Sequence, residues 1–81
     1  MFKKMELTGS PKSTGFKTKA SFLNAMSDFG WTQDKMRIKN NQVKMLVTND
    51  IFSNTNKMKM AKRLGIDIVT YDELVELYEL L

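Results

Sequence analysis

The chain is expected to fold as an α/β domain, a mostly parallel sheet of four short strands with helices on both faces. Three observations lead there. Apolar runs at 4–8, 31–33, 43–47 and 66–69 alternate with segments whose apolar residues recur every three or four positions. Gly30 and Gly65 each stand just past such a segment, where glycine ends a helix easily. Strands that alternate with helices pair in parallel, because the helix carries the chain back along the sheet. The order is β-α-β-β-α-β-α, within a single domain spanning all 81 residues.

Lys4 to Thr8 is the first strand, with Met5 and Leu7 on one face. Residues 9–15 form a polar loop containing Pro11, with Ser13 or Thr14 available to cap a helix. From Phe16 to Phe29 the apolar stripe is Phe16, Ala20, Leu23 and Met26, widened by Phe22 and Phe29. Trp31 to Gln33 is a short second strand, and Trp31 beside Gly30 reads as a core plug. Residues 34–42 are polar and basic, a loop anchored by Met36 and Ile38. Val43 to Val47 is apolar enough for a central strand. The loop from Thr48 to Thr55 is expected to tuck Ile51 and Phe52 back onto the domain. Thr55 caps a helix over 56–64, where Met58, Ala61 and Leu64 repeat every three. Ile66 to Val69 is the fourth strand. Thr70-x-x-Glu73 has the form of a capping box. It opens a last helix with Leu74, Val75, Leu77, Tyr78 and Leu81 facing inward.

Composition narrows the chemistry. There is no cysteine and no histidine, which removes disulfides, thiolate nucleophiles, the usual zinc ligands and imidazole acid–base catalysis. No run approaches the roughly 18–20 apolar residues of a membrane span, and the start lacks the apolar region of a signal peptide. A soluble, cytoplasmic protein without cofactor or metal is expected, and the lysine- and asparagine-rich composition suits a bacterial or phage genome. The seven methionines are read as core filler. Charge is distributed unevenly: residues 1–63 hold all 13 Lys and Arg against four acids, a balance of +9, while 64–81 hold five acids and no base. One-sided basic charge suits nucleic acid or another polyanion. The same lysines also serve as an ordinary solvated surface.

The stretch Met5 to Thr18, MELTGSPKSTGFKT, is the clearest candidate site. A strand ending in Thr8-Gly9 feeds a helix start flanked by Lys12, Lys17 and Lys19. Freed backbone N–H groups, the helix dipole and the lysines together favour an anion. Gly9 and Gly15 invite comparison with the P-loop, G-x-x-x-x-G-K-[ST]. Five residues separate the glycines, and Phe16 stands where the lysine belongs, so a triphosphate cradle is not expected. Lys57 sits in the first turn of the second helix, where positive charge is disfavoured unless it meets an anion. No nucleophile, base or paired carboxylates are placed for catalysis.

LTG at the end of strand one, the helix ending in Gly30, MLVTND, NKMKMAKRLGIDIVT and YDELVEL together resemble the BRCT domain. The likeness covers nearly the whole chain and is most specific from Asn56 to Leu77. It lies closest to the type found in bacterial NAD-dependent DNA ligases and in the large subunit of replication factor C. The resemblance implies a four-stranded parallel sheet in order 2-1-3-4, with helices one and three on one face and helix two on the other. It also implies a phosphate site formed by Thr8, Gly9 and Lys57, with Lys17, and next Lys12, as the basic residue near helix one that meets 5′-phosphorylated DNA. Trp31 departs from the family's second glycine after helix one. The tryptophan common in the family's third helix is absent, with Leu77-Tyr78 in its region, which sets the chain apart from tandem phosphopeptide readers.

The function expected on these grounds is a non-catalytic DNA-binding module. It grips a 5′-phosphate or backbone phosphate at an end or nick, while Lys12, Lys17 and Lys19 run along the duplex. The alternative is a module that docks a phosphorylated or unmodified replication or repair protein and tethers a ligase or similar enzyme.

Overall fold

The computed structural model describes residues 3–80. Its elements are β1 (Lys3–Leu7), a 3-10 turn (Lys12–Thr14), α1 (Lys19–Ser27), β2 (Trp31–Gln33), β3 (Val43–Thr48), α2 (Asn56–Leu64), β4 (Asp67–Thr70) and α3 (Tyr71–Leu77). All strand pairs are parallel, in the order β2-β1-β3-β4. This is the α/β architecture and the strand order that the sequence and its resemblance imply.

Two apolar clusters lie on opposite faces of the sheet. Met5, Leu7, Met45 and Val47 pack against Phe22 and Met26 of α1 and Tyr71 and Leu74 of α3. Val43 and Leu46 pack against Met58 and Ala61 of α2, with Met36 from the loop after β2. Helices α1 and α3 therefore cover one face, and α2 the other. Val43 and Met45 are two apart yet belong to different faces. The pairing of β1 with β3 slips between Lys4 and Met5, so that Lys44 is skipped and the alternation reverses. Among the described residues five methionines are buried (Met5, Met26, Met36, Met45 and Met58), as filler for a small core. Trp31 is the expected plug, and its indole Nε1 donates to Tyr78 Oη at 3.2 Å.

Helix α1 starts later than expected. Neither Ser13 nor Thr14 caps it, because the Thr14 N–H and hydroxyl both donate to the Pro11 carbonyl, at 2.9 and 2.6 Å. That closes a 3-10 turn, and Gly15 at φ 97° then turns the chain away from helix. Thr18 is the cap: its Oγ1 accepts from Ser21 N–H at 3.1 Å, and the Ser21 hydroxyl answers at the Thr18 N–H. The buried stripe is Phe22 and Met26, one turn apart, with Leu23 and Phe16 packed beside it. Ala20 lies off that stripe and is exposed, and Phe29, past the helix end, is half-exposed against Tyr78.

Three further apolar expectations fail for local reasons. Ile51 and Phe52 do not tuck back. Asp50 sets a turn in which its Oδ1 accepts from Phe52 N–H at 2.9 Å and its carbonyl from Ser53 N–H at 3.2 Å. The turn leaves Phe52 88% exposed. Leu77 stands six residues from Tyr71, about 240° around the helix from the inward face, and is exposed. Ile38 is exposed too, whereas Met36 does anchor its loop. Leu81, expected to face inward, lies outside the described residues.

That loop is also held by Asp34. Its carboxylate meets Lys4 Nζ at 3.5 Å and two guanidinium nitrogens of Arg37 at 3.2 and 3.3 Å. The Lys35 backbone N–H, and after it Arg37, hold this carboxyl below the usual aspartate range. Among the described residues no helix is long and apolar enough to cross a membrane.

Candidate functional site

In a parallel sheet every strand delivers its carboxyl end to the same edge, and every following helix begins there. Ligands bind at that edge where successive crossovers leave in opposite directions and open a crevice. With the order β2-β1-β3-β4, that point lies between β1 and β3. Thr8-Gly9 and Thr48-Asn49 are its lips.

The two lips touch. Gly9 has φ +73°, and a Cβ built there would lie 2.7 Å from Asn49 Cγ. Only glycine brings the backbone this close without strain. Thr8 still belongs to the ladder, its N–H donating to Val47 O at 2.9 Å. Strand alternation places its side chain on the face of Glu6, which pairs in register with Leu46 and so faces α2. Among the described residues neither the Thr8 hydroxyl nor the Gly9 N–H has a hydrogen-bond partner.

Lys57, in the first turn of α2, stands at the same edge and on the same face as Thr8. It is exposed, and no carboxylate pairs with it among the described residues. Lys12, Lys17 and Lys19 reach the same edge on the opposite face, in the 3-10 turn, just before the Thr18 cap and at the start of α1 respectively. They too are exposed and without an ion pair among the described residues. The structure therefore divides the expected side chains into Thr8 and Lys57 on the α2 side and three lysines on the α1 side, with Gly9 at the lip of the crevice. The first turns of α1 and α2 contain no acid, whereas Asp72 and Glu73 open α3. An anion is favoured at the β1–β3 crevice and disfavoured beyond β4. Glu6 is the one buried acid on the α2 face of β1, two residues inward from Thr8.

Two participants carry no signal in the sequence. Asn49 is one; the other is Tyr71, the first residue of α3. Its hydroxyl donates to the Thr8 carbonyl at 3.0 Å and ties the end of β1 to the third helix. Burial pushes the Tyr71 phenol up to about 12. A proton held more tightly in the folded state stabilises fully below pH 10, and that stabilisation is lost as pH rises towards 12. Wild-type protein is therefore expected to lose on the order of 1–2 kcal/mol more than Tyr71→Phe across that window. Urea denaturation of both proteins at pH 9 and pH 11 checks this, and parallel losses would remove the phenol from the account. At neutral pH, Tyr71→Phe should cost about 1 kcal/mol through the lost hydrogen bond.

No group of three or more acidic side chains among the described residues converges as a metal site. No family model, curated protein or solved structure matches the chain.

Proposed function

We propose that the chain is a BRCT-like, non-catalytic module that binds a DNA phosphate, a 5′-phosphate at an end or nick, in replication or repair. One observation carries this reading. At the β1–β3 edge stand, without partners among the described residues, a hydroxyl and a backbone N–H at the end of β1 and a lysine in the first turn of α2. These three donors suit the oxygens of one phosphate, and hydrogen bonds to a charged group are the stronger kind. Lys12, Lys17 and Lys19, across the edge, have the charge to follow a duplex backbone.

Wild-type protein is expected to prefer 5′-phosphorylated over dephosphorylated duplex by about tenfold or more, given about 1.5–3 kcal/mol for a hydrogen bond to a charged group. Lys57→Ala with Lys17→Ala should abolish the preference and flatten the salt dependence by nearly one logarithmic unit per cation lost. Fluorescence titrations at two salt concentrations measure both, and equal wild-type affinity for the two ends overturns the reading.

A groove of about 260 Å³ along α2, lined by Ile38, Asn56, Lys59, Met60, Arg63 and Leu64, favours a second reading. Its apolar floor and two cations one helical turn apart suit an acidic segment of a replication or repair protein. Absence of DNA binding even at low salt would turn the assignment that way.

A further inference from the structure

We propose that Phe52 is a stacking platform for an exposed base, so that the DNA read at the Thr8–Gly9 crevice is a terminus and not an uninterrupted duplex. This rests on the phosphate reading above and selects among the DNAs that reading admits.

Phe52 is 88% exposed, the most exposed of the large apolar residues among those described, and folding gives it no role. It is nonetheless held. The Thr48 hydroxyl accepts from Asp50 N–H at 3.2 Å, Asp50 Oδ1 accepts from Phe52 N–H at 2.9 Å, and the Asp50 carbonyl accepts from Ser53 N–H at 3.2 Å. Three hydrogen bonds between Thr48 and Ser53 fix the backbone of the turn, so little order remains to be imposed when a ligand arrives.

The position is specific as well. Phe52 follows Asn49, which touches Gly9, by three residues. The chain cannot span more than about 11 Å over three peptide units. That is about three nucleotide steps along a strand at about 3.4 Å each. The ring and the phosphate corner are thus within reach of one short stretch of nucleic acid.

The surroundings favour a base over an apolar partner. In sequence Phe52 stands among the polar, uncharged Asn49, Ser53 and Asn54, with Asp50, whose carboxylate accepts from the Phe52 N–H, as the one acid and Lys57 and Lys59 following at the start of α2. A protein pocket or a lipid surface would call for a contiguous apolar patch. Here one ring, with Ile51 half-exposed beside it, projects from a polar and basic edge. Aromatic rings beside cations are how single-stranded bases are held, because every base has a stackable face. Within continuous duplex the bases are stacked on one another and offer no face. At a blunt end or an overhang the last base does.

The test uses three DNAs of equal length: a closed dumbbell without ends, a blunt 5′-phosphorylated duplex, and a duplex with a 5′-phosphorylated overhang. The latter two carry 2-aminopurine as the terminal 5′ base. Wild-type protein should change the 2-aminopurine fluorescence and bind the ended DNAs in preference to the dumbbell. Phe52→Ala should weaken binding to the ended DNAs by about tenfold and abolish the fluorescence change. Phe52→Trp should retain both, and Phe52→Leu, apolar but without a ring, should behave as alanine does. All three variants replace an exposed side chain, and their melting curves should overlay the wild type.

Affinity of Phe52→Ala or Phe52→Leu equal to wild type overturns the platform while leaving any preference for the 5′-phosphate intact. Loss on Phe52→Ala in a protein indifferent to the 5′-phosphate overturns the phosphate reading and keeps the platform. Failure of the wild type to bind any of the three overturns both.

Discussion

Replacing Phe22 with alanine is expected to leave the domain largely unfolded. The ring is fully buried, edge-on to Tyr71 at 4.8 Å between centroids and to Phe16 at 5.7 Å. Truncating a buried phenylalanine costs about 3–5 kcal/mol, and aromatic pairs add about 0.5–1.5 kcal/mol beyond area. A core of this size supplies about 3–5 kcal/mol in all, so one substitution consumes most of it. Circular dichroism on heating and in urea should show little cooperative transition for Phe22→Ala. Phe29→Ala, at a ring 43% exposed, should cost under about 1 kcal/mol. A Phe22→Ala protein that melts within a few degrees of wild type would mean that α1 is not docked as described. The effect extends to the site, since Tyr71, against which Phe22 packs, holds the Thr8 carbonyl.

The parts of the fold written in local chemistry were legible. Helix α2 runs over the expected residues because Thr55 caps one end and Gly65, at φ 72°, closes the other. Strand β2 likewise follows directly from Gly30 and the run Trp31–Gln33. The start of α1 was not legible, because several hydroxyl residues compete to cap it. The choice fell to Thr18 only because Pro11 and Gly15 committed Thr14 to a different turn. Phe52 and Leu77 show the converse error. Apolar character says that burial is favourable, but the turn at Asp50 and the angle around α3 decide whether it is available.

The site divides along the same line. Thr8-Gly9 was visible because a strand end, a glycine and lysines are adjacent in sequence. That Lys57 shares their edge, and the face of Thr8, follows from parallel crossovers and strand alternation. Asn49 and Tyr71 could not be found in this way. Tyr71 reaches Thr8 across 63 positions, and nothing in its own neighbourhood distinguishes it from a core tyrosine. Contacts of that separation exist only once the sheet has formed.

Gly9→Ala is expected to have the second-largest effect, and it acts on stability and on binding by different routes. A non-glycine residue in the left-handed region costs about 1–2 kcal/mol. At Gly65, φ +72°, nothing lies within 4 Å of an added Cβ, so Gly65→Ala should show that conformational cost alone. At Gly9 the new methyl also runs into the Asn49 side chain, whose Cγ stands 2.7 Å away. Gly9→Ala should therefore exceed Gly65→Ala by about 1 kcal/mol or more, a difference that Asn49→Ala should remove in the double variant. Asn49 is exposed and can swing aside, but its side chain stands against Gly9, one of the groups proposed to hold the phosphate. Phosphate preference should fall in Gly9→Ala even at temperatures where the protein is folded, and return in part when Asn49 is also alanine. If Gly9→Ala matched Gly65→Ala in both stability and binding, the contact between the lips of β1 and β3 would carry no energetic weight. The crevice would then have to be sought elsewhere along the edge.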